Sequence, residues 1–127
     1  MPVAAQSQLT VLVVDDEPII CKVLVRKFEG AGYNVLTAQN GREALEKLHD
    51  DRVHLVIADV DMPVMNGYNL AEQIPDIPVI FISGHHNPEE EFGLADKLHL
   101  DSPLRAFVKK PFDVGELLGL IQELTAP

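Results

Sequence analysis

Asp15, Asp16, Asp59 and Lys110 are the residues of this chain whose types and positions could do chemistry together. Asp15 and Asp16 follow the apolar run Leu9–Val14, and Asp59 follows Leu55–Ala58. Lys110 follows Phe107-Val108 and precedes Pro111-Phe112. Each lies where a buried strand would end and a loop begin. If those strands are parallel neighbours, their carboxyl ends bring the acids into one pocket with the lysine at its rim. Carboxylates so gathered repel one another unless a divalent cation or an ammonium group balances them. Such a cup is a place to bind Mg2+ and to move a phosphoryl group onto one aspartate.

The elements that must position these residues alternate along the chain. Leu9–Val14 reads as a first strand, and Pro18 to about Glu29 as a helix with Ile20, Leu24 and Phe28 on one face. Pro18 suits its first turn, and Gly30 and Gly32 suit its end. Asn34–Ala38 is a short second strand. Asn40 caps the next helix, with Glu43 three residues on in a capping-box arrangement. Leu55–Ala58 is the third strand, followed by a helix after Gly67 that is about one turn short before Pro78. Val79–Ile82 is the fourth strand. The fourth helix is expected from Asn87-Pro88 toward Leu98, with Glu89-Glu90-Glu91 in its first turn. Ala106–Val108 is the fifth strand, and Asp113 caps a last helix with Leu117, Leu120, Ile121 and Leu124 facing inward.

Strands one, three and four are nearly continuous apolar runs, the pattern of parallel strands covered on both faces. Five β–α units of this kind predict an α/β fold: a flavodoxin-like (βα)5 doubly wound three-layer sandwich. Its parallel five-stranded sheet has the order 2-1-3-4-5. That order sets strands one and three side by side at the point where strand order reverses. Ligands of open α/β sheets sit there.

The 127 residues make one domain, expected over 9–127, with 1–8 as an N-terminal tail. An apolar share of 46% and a mean hydropathy of +0.07 fit a globular domain. No apolar run approaches the roughly 18 residues of a membrane span, and Met1–Gln8 lacks the basic start and apolar stretch of a secretory signal. A single cysteine, Cys21, excludes an internal disulfide and points to a cytoplasmic location. The net charge of −10 disfavours direct nucleic-acid binding, which needs clustered Lys and Arg. It suits a cation site or a basic protein partner.

Four stretches, in order and each at a strand end, carry a resemblance. They are Val13-Val14-Asp15-Asp16-Glu17-Pro18, Asp59 through Gly67, Ser83-Gly84, and Lys110-Pro111-Phe112. Together they resemble the receiver domain of bacterial two-component response regulators, of the CheY-like superfamily, over nearly the whole chain. The resemblance implies phosphorylation of Asp59 by a histidine kinase or histidine phosphotransfer protein, with Mg2+ as cofactor and Mn2+ as its substitute. It implies Asp16 as a direct metal ligand, Asp15 as a second carboxylate or holder of a bound water, and the Asp61 backbone carbonyl as a further ligand. Lys110 would pair with Asp59 or its phosphoryl group, Ser83 would hydrogen-bond that group, and Phe107 stands at the aromatic switch position. Asp61 and His85, two residues past the acceptor and the hydroxyl, would tune phosphoryl lifetime. The implied protein is a signalling switch rather than a turnover enzyme, acting on a downstream protein or an output domain absent from this chain. Stand-alone regulator and receiver of a longer protein both stay open.

Plainer roles are open to the same residues. Asp15 and Asp16 could cap a helix, Asp59 and Ser83 could open turns, and Phe107 could be core packing. Asp59-Val60-Asp61 also matches aspartate-nucleophile phosphohydrolases of the haloacid dehalogenase type. Those carry the pair after the first strand and have a longer core. A flavin-binding module would need a Ser/Thr/Gly loop where this chain has acids. A receiver-like module that binds partners without being phosphorylated conflicts with the intact acid–acid–lysine set. His85 and His86 are adjacent and would point apart on an extended chain, so no transition-metal site is expected from them. The segment 91–105 carries Asp101-Ser102-Pro103 where the family usually has Gly-Ala, which predicts an unusual output face.

Overall fold

Residues with no water on either side set the centre of this fold. In the computed structural model, which describes residues 8–62 and 64–126, five strands form one parallel sheet. They are β1 Thr10–Val14, β2 Asn34–Ala38, β3 Leu55–Asp59, β4 Val79–Ser83 and β5 Arg105–Lys109, in the order β2-β1-β3-β4-β5. Every residue of β3 and β4 is buried, as is all of β1 after Thr10. The edge strands β2 and β5 are mostly half-buried. Of the expected tail 1–8, only Gln8 falls within the described residues.

Five helices complete the alternation: α1 Pro18–Gly30, α2 Gly41–Asp50, α3 Gly67–Glu72, α4 Leu94–Lys97 and α5 Val114–Thr125. Successive strand residues point to opposite faces of the sheet, and the core divides accordingly. Val11, Val13, Leu55, Ile57, Ile80 and Ile82 pack with Leu24 and Phe28 of α1 and with Leu117 and Ile121 of α5. Leu12, Val14, Val56, Ala58 and Phe81 pack with Ala44, Leu70 and Leu94 of the other three helices. This is the expected three-layer sandwich. Among the described residues no helix is long and apolar enough to cross a membrane.

Local signals place the helix ends. Asn40 Oδ1 accepts from Glu43 N at 2.9 Å, and Asp113 Oδ1 from Gly115 N at 2.8 Å. Gly32, at φ +99, turns the chain after α1 in the left-handed conformation that glycine enters without strain. The short third helix is real: α3 has six residues. The Arg105 guanidinium then collects the carbonyls of Ala71, Ile74 and Ile77 beyond and at its end.

The fourth helix differs from expectation. It spans Leu94–Lys97 alone, and residues 88–93 form turns. Asn87 Oδ1 accepts from Glu89 N, which makes a turn rather than a helical start, and Gly93 at φ +81 separates that turn from α4. Glu89-Glu90-Glu91 is therefore not a first helical turn.

Candidate functional site

The register of three central strands assembles the site. Val14 is level with Ala58 across β1 and β3, Asp59 with Ile82 across β3 and β4, and Ser83 with Lys109 across β4 and β5. The next residues along, Asp15 and Lys110, therefore leave the sheet on the same edge as Asp59. Backbone bonds hold them there: Asp15 N donates to Ala38 O at 3.1 Å, and Lys110 N to Ser83 O at 2.8 Å.

The side chains converge on one ammonium group. Lys110 Nζ lies 2.9 Å from Asp59 Oδ2, 3.1 Å from Asp15 Oδ2 and 2.9 Å from Glu17 Oε1. The second oxygens are held by backbone: Asp15 Oδ1 accepts from Glu17 N, and Asp59 Oδ1 from Asp61 N, both at 2.9 Å. Asp15 is completely buried and Asp59 is 5% exposed, whereas Glu17 lies at the surface. One carboxylate oxygen from each of Asp15, Glu17 and Asp59 falls within 4.8 Å of the others.

One lysine faces three acids here, two of them buried. Desolvation holds the Asp59 and Asp15 carboxyls above their ordinary range, against the lowering pull of Lys110 and of the backbone N–H donors. Burial alone would lower the Lys110 ammonium. Its partners, Asp59 first, overturn that and raise it above its ordinary value. Burial thus sets the direction for the two aspartates, and the carboxylate partners set it for the lysine. A hard divalent cation suits such a donor set, since Mg2+ takes a few carboxylate oxygens and keeps several waters.

The structure sorts the expected residues. Asp15, Asp59 and Lys110 come together. Asp16 is exposed and its carboxylate lies outside the three-acid group, although its charge still raises the Asp59 pKa. Glu17, not expected at the site, brings its carboxylate to Lys110 beside Asp15 and Asp59. Sequence reading missed it, though it is the third consecutive acid before a helix-starting proline. Ser83 is buried at the end of β4, and its Oγ accepts from the backbone N–H of His85 and His86 at 3.1 and 2.9 Å. Phe107 is half-buried and packs against the cluster that contains Phe81, Leu94 and Leu98. Asp61 contributes its N–H to Asp59, and its carboxylate meets His86 rather than His85, at 2.8 Å from Nε2. Lys109 is exposed, as a lysine pointing away from the cup should be.

Gly67 also belongs to the site. A Cβ there would sit 2.5 Å from the backbone oxygen of Asp59. Only glycine lets the start of α3 lie against the backbone of β3.

Comparison with known proteins agrees with this geometry. The family model described as "Response regulator receiver domain" matches residues 11–122. The chain is 32% identical over 118 residues to "Response regulator MprA" of Mycolicibacterium vanbaalenii, covering 90% of this chain and 49% of that protein. The chain spans about half or less of the length of curated relatives such as this one. The structure of chemotaxis protein CheY4 of Vibrio cholerae superposes with a TM-score of 0.79 at 30% identity, over 93% of this chain and 99% of that one. Response regulator protein TrrA of Thermotoga maritima, solved in complex with Mg(2+)-BeF, superposes with a TM-score of 0.74 at 31% identity, over 92% and 99%. On the fold, the acidic cup and these matches together, the chain belongs to the receiver domains of two-component response regulators.

Proposed function

We propose that Asp59 is the phosphoacceptor and that its phosphorylation requires Mg2+, with Mn2+ able to replace it. The observation that carries this reading is the grouping of Asp15, Glu17 and Asp59 around Lys110, with the Asp59 and Asp15 carboxyls raised above their ordinary range by burial. Asp15, Glu17 and Asp59 would hold the metal with the Asp61 carbonyl, and Asp16 adds charge at the rim or a ligand in place of Glu17. Bound there, the metal supplies positive charge to the oxygens of the transferring phosphoryl group.

The chain's own groups do the rest. An Asp59 carboxylate oxygen forms a bond to phosphorus as the P–N bond of a phosphohistidine breaks, and the imidazole departs. Lys110, a mobile point charge 2.9 Å from Asp59, follows the new negative charge. Ser83 Oγ already accepts two backbone N–H groups, so its own proton is free to donate to a phosphoryl oxygen. The phosphoryl group adds about −1.5 to −2 charges, enough to draw Ser83 inward. Phe107, half-buried beside Phe81, responds to that movement and biases the surface around α4, β5 and α5.

The donor is a histidine kinase or histidine phosphotransfer protein, and the output is a downstream protein or a linked output domain. This makes the domain a switch and not a turnover enzyme. A cytoplasmic location completes the proposal and accords with the lone, buried thiol of Cys21. Incubation with a small acyl phosphate tests it. The native chain gains the mass of one phosphoryl group with Mg2+ and not with excess chelator, and Asp59→Asn gains none. A native chain that stays unmodified, or an Asp59→Asn chain that is modified equally, overturns it.

A further inference from the structure

His86 connects the loop after β3 with the turn before α4. Its Nε2 lies 2.8 Å from Asp61 Oδ1, two residues past Asp59, and its Nδ1 lies 2.7 Å from Glu91 Oε2 in the turn before α4. Its own N–H donates to Ser83 Oγ at 2.9 Å, and Asp61 N donates to Asp59 Oδ1 at 2.9 Å. Asp59, Asp61, His86 and Ser83 therefore form a continuous chain of contacts across the ends of β3 and β4. A neutral imidazole donates from one nitrogen only. A ring facing a carboxylate on each side is an imidazolium, and Glu91, then Asp61, holds its pKa above the ordinary value.

We propose that His86 is a positioning residue that clamps the loop after β4 onto the acceptor loop and so sets how long a phosphoryl group survives on Asp59. The inference rests on Asp59 being the phosphoacceptor. Hydrolysis forms a bond from a water oxygen to phosphorus and breaks the one to the Asp59 carboxylate oxygen. The Asp59 carboxylate and dihydrogen phosphate are the products, and both water protons end on the phosphate. Water must reach the phosphorus from outside the carboxylate–lysine cup, beside Ser83 and Asp61. With the clamp closed, the imidazolium occupies that side and engages the Asp61 carboxylate. With the clamp open, the approach is clear, and a released Asp61 carboxylate two residues from the acceptor is placed to orient water. Glu91 is the outer anchor, which gives this acidic turn a purpose that neither helix formation nor a surface role supplies.

The experiment loads the chain with acetyl phosphate and Mg2+, removes the donor, and follows loss of the phosphoryl mass with time. His86→Ala loses it roughly three- to tenfold faster than the native chain, the effect of removing one positioning contact on an attacking group. Glu91→Gln moves the same way by less, because the bond to Asp61 survives. His49→Ala, at an exposed position remote from the site, decays at the native rate. The Tm of unphosphorylated His86→Ala stays close to native, which separates a changed lifetime from a loosened fold. Native decay in His86→Ala, at whatever Tm, overturns the proposal, as does acceleration seen in His85→Ala and not in His86→Ala. Failure of the native chain to load at all is a different result, and it removes the phosphoacceptor reading itself.

Discussion

Replacing Lys110 with methionine removes the ammonium group while nearly conserving side-chain volume. Lys110 is 14% exposed and touches two buried carboxylates, Asp15 and Asp59, besides the exposed Glu17. The Glu17 arm is worth under about 1 kcal/mol, as for other surface pairs. The buried arms matter more, since stripping one partner from a buried charge cluster costs about 3–5 kcal/mol. A second route to the magnitude agrees. Without the lysine, one aspartate escapes its neighbour by taking up a proton. From the ordinary value of 3.8, holding a carboxyl neutral at pH 7 costs about 4 kcal/mol, and at pH 5 about 2 kcal/mol. The sign follows from a folded pKa raised above the unfolded one: stability is fully present in acid and is lost as pH rises through the folded value. Urea denaturation of Lys110→Met should therefore show a deficit of about 3–4 kcal/mol at pH 7, shrinking by about 2–3 kcal/mol at pH 5. Mg2+ should recover part of the deficit at pH 7, because it binds the folded cup alone. A deficit equal at both pH values and indifferent to Mg2+ would refute the electrostatic account of the cup.

Asp59→Asn should raise the Tm of the metal-free protein at pH 7 by about 3–5 °C, the shift expected for a chain of this length if the relief is worth about 1 kcal/mol. The buried carboxylate it replaces prefers to be neutral, and Asn keeps the acceptor for Asp61 N. That gain should fade as pH falls through the raised pKa of the native carboxyl, and thermal scans in buffers of falling pH check it. Gly67→Ala should cost about 2–3 kcal/mol in denaturant titration and slow phosphoryl loading, since its Cβ meets Asp59 O at 2.5 Å. Arg105→Gln should lower stability by about 2 kcal/mol and increase amide hydrogen exchange around α3, because the carbonyls of Ala71, Ile74 and Ile77 lose a shared donor. Exchange increased evenly over the chain would argue against that local role.

What could be read from the chain was whatever depended on one element at a time. Asp15, Asp59 and Lys110 announced themselves because each breaks an apolar run at a strand end, and parallel order then brought them together. Asn40 and Asp113 were legible as caps because capping is local. Glu17 was harder: its carboxylate, rather than that of Asp16, reaches Lys110, 93 residues away, through the way α1 begins. The link from His86 to Asp61 spans 25 residues, with α3 and β4 between them, and no periodicity marks it. The fourth helix was overdrawn because three glutamates look like a helical first turn. The Asn87 turn and the left-handed Gly93 prevail over that composition.

The central claim is that Asp59 receives the phosphoryl group, and mapping the modified residue measures it most directly. The loaded native chain is reduced with borohydride, which converts an acyl phosphate side chain to an alcohol, then digested and read by peptide mass. The account predicts conversion at Asp59 alone, dependent on Mg2+. Conversion at Asp15, Asp16 or Asp61, or a phosphoryl group retained on a histidine, would contradict it.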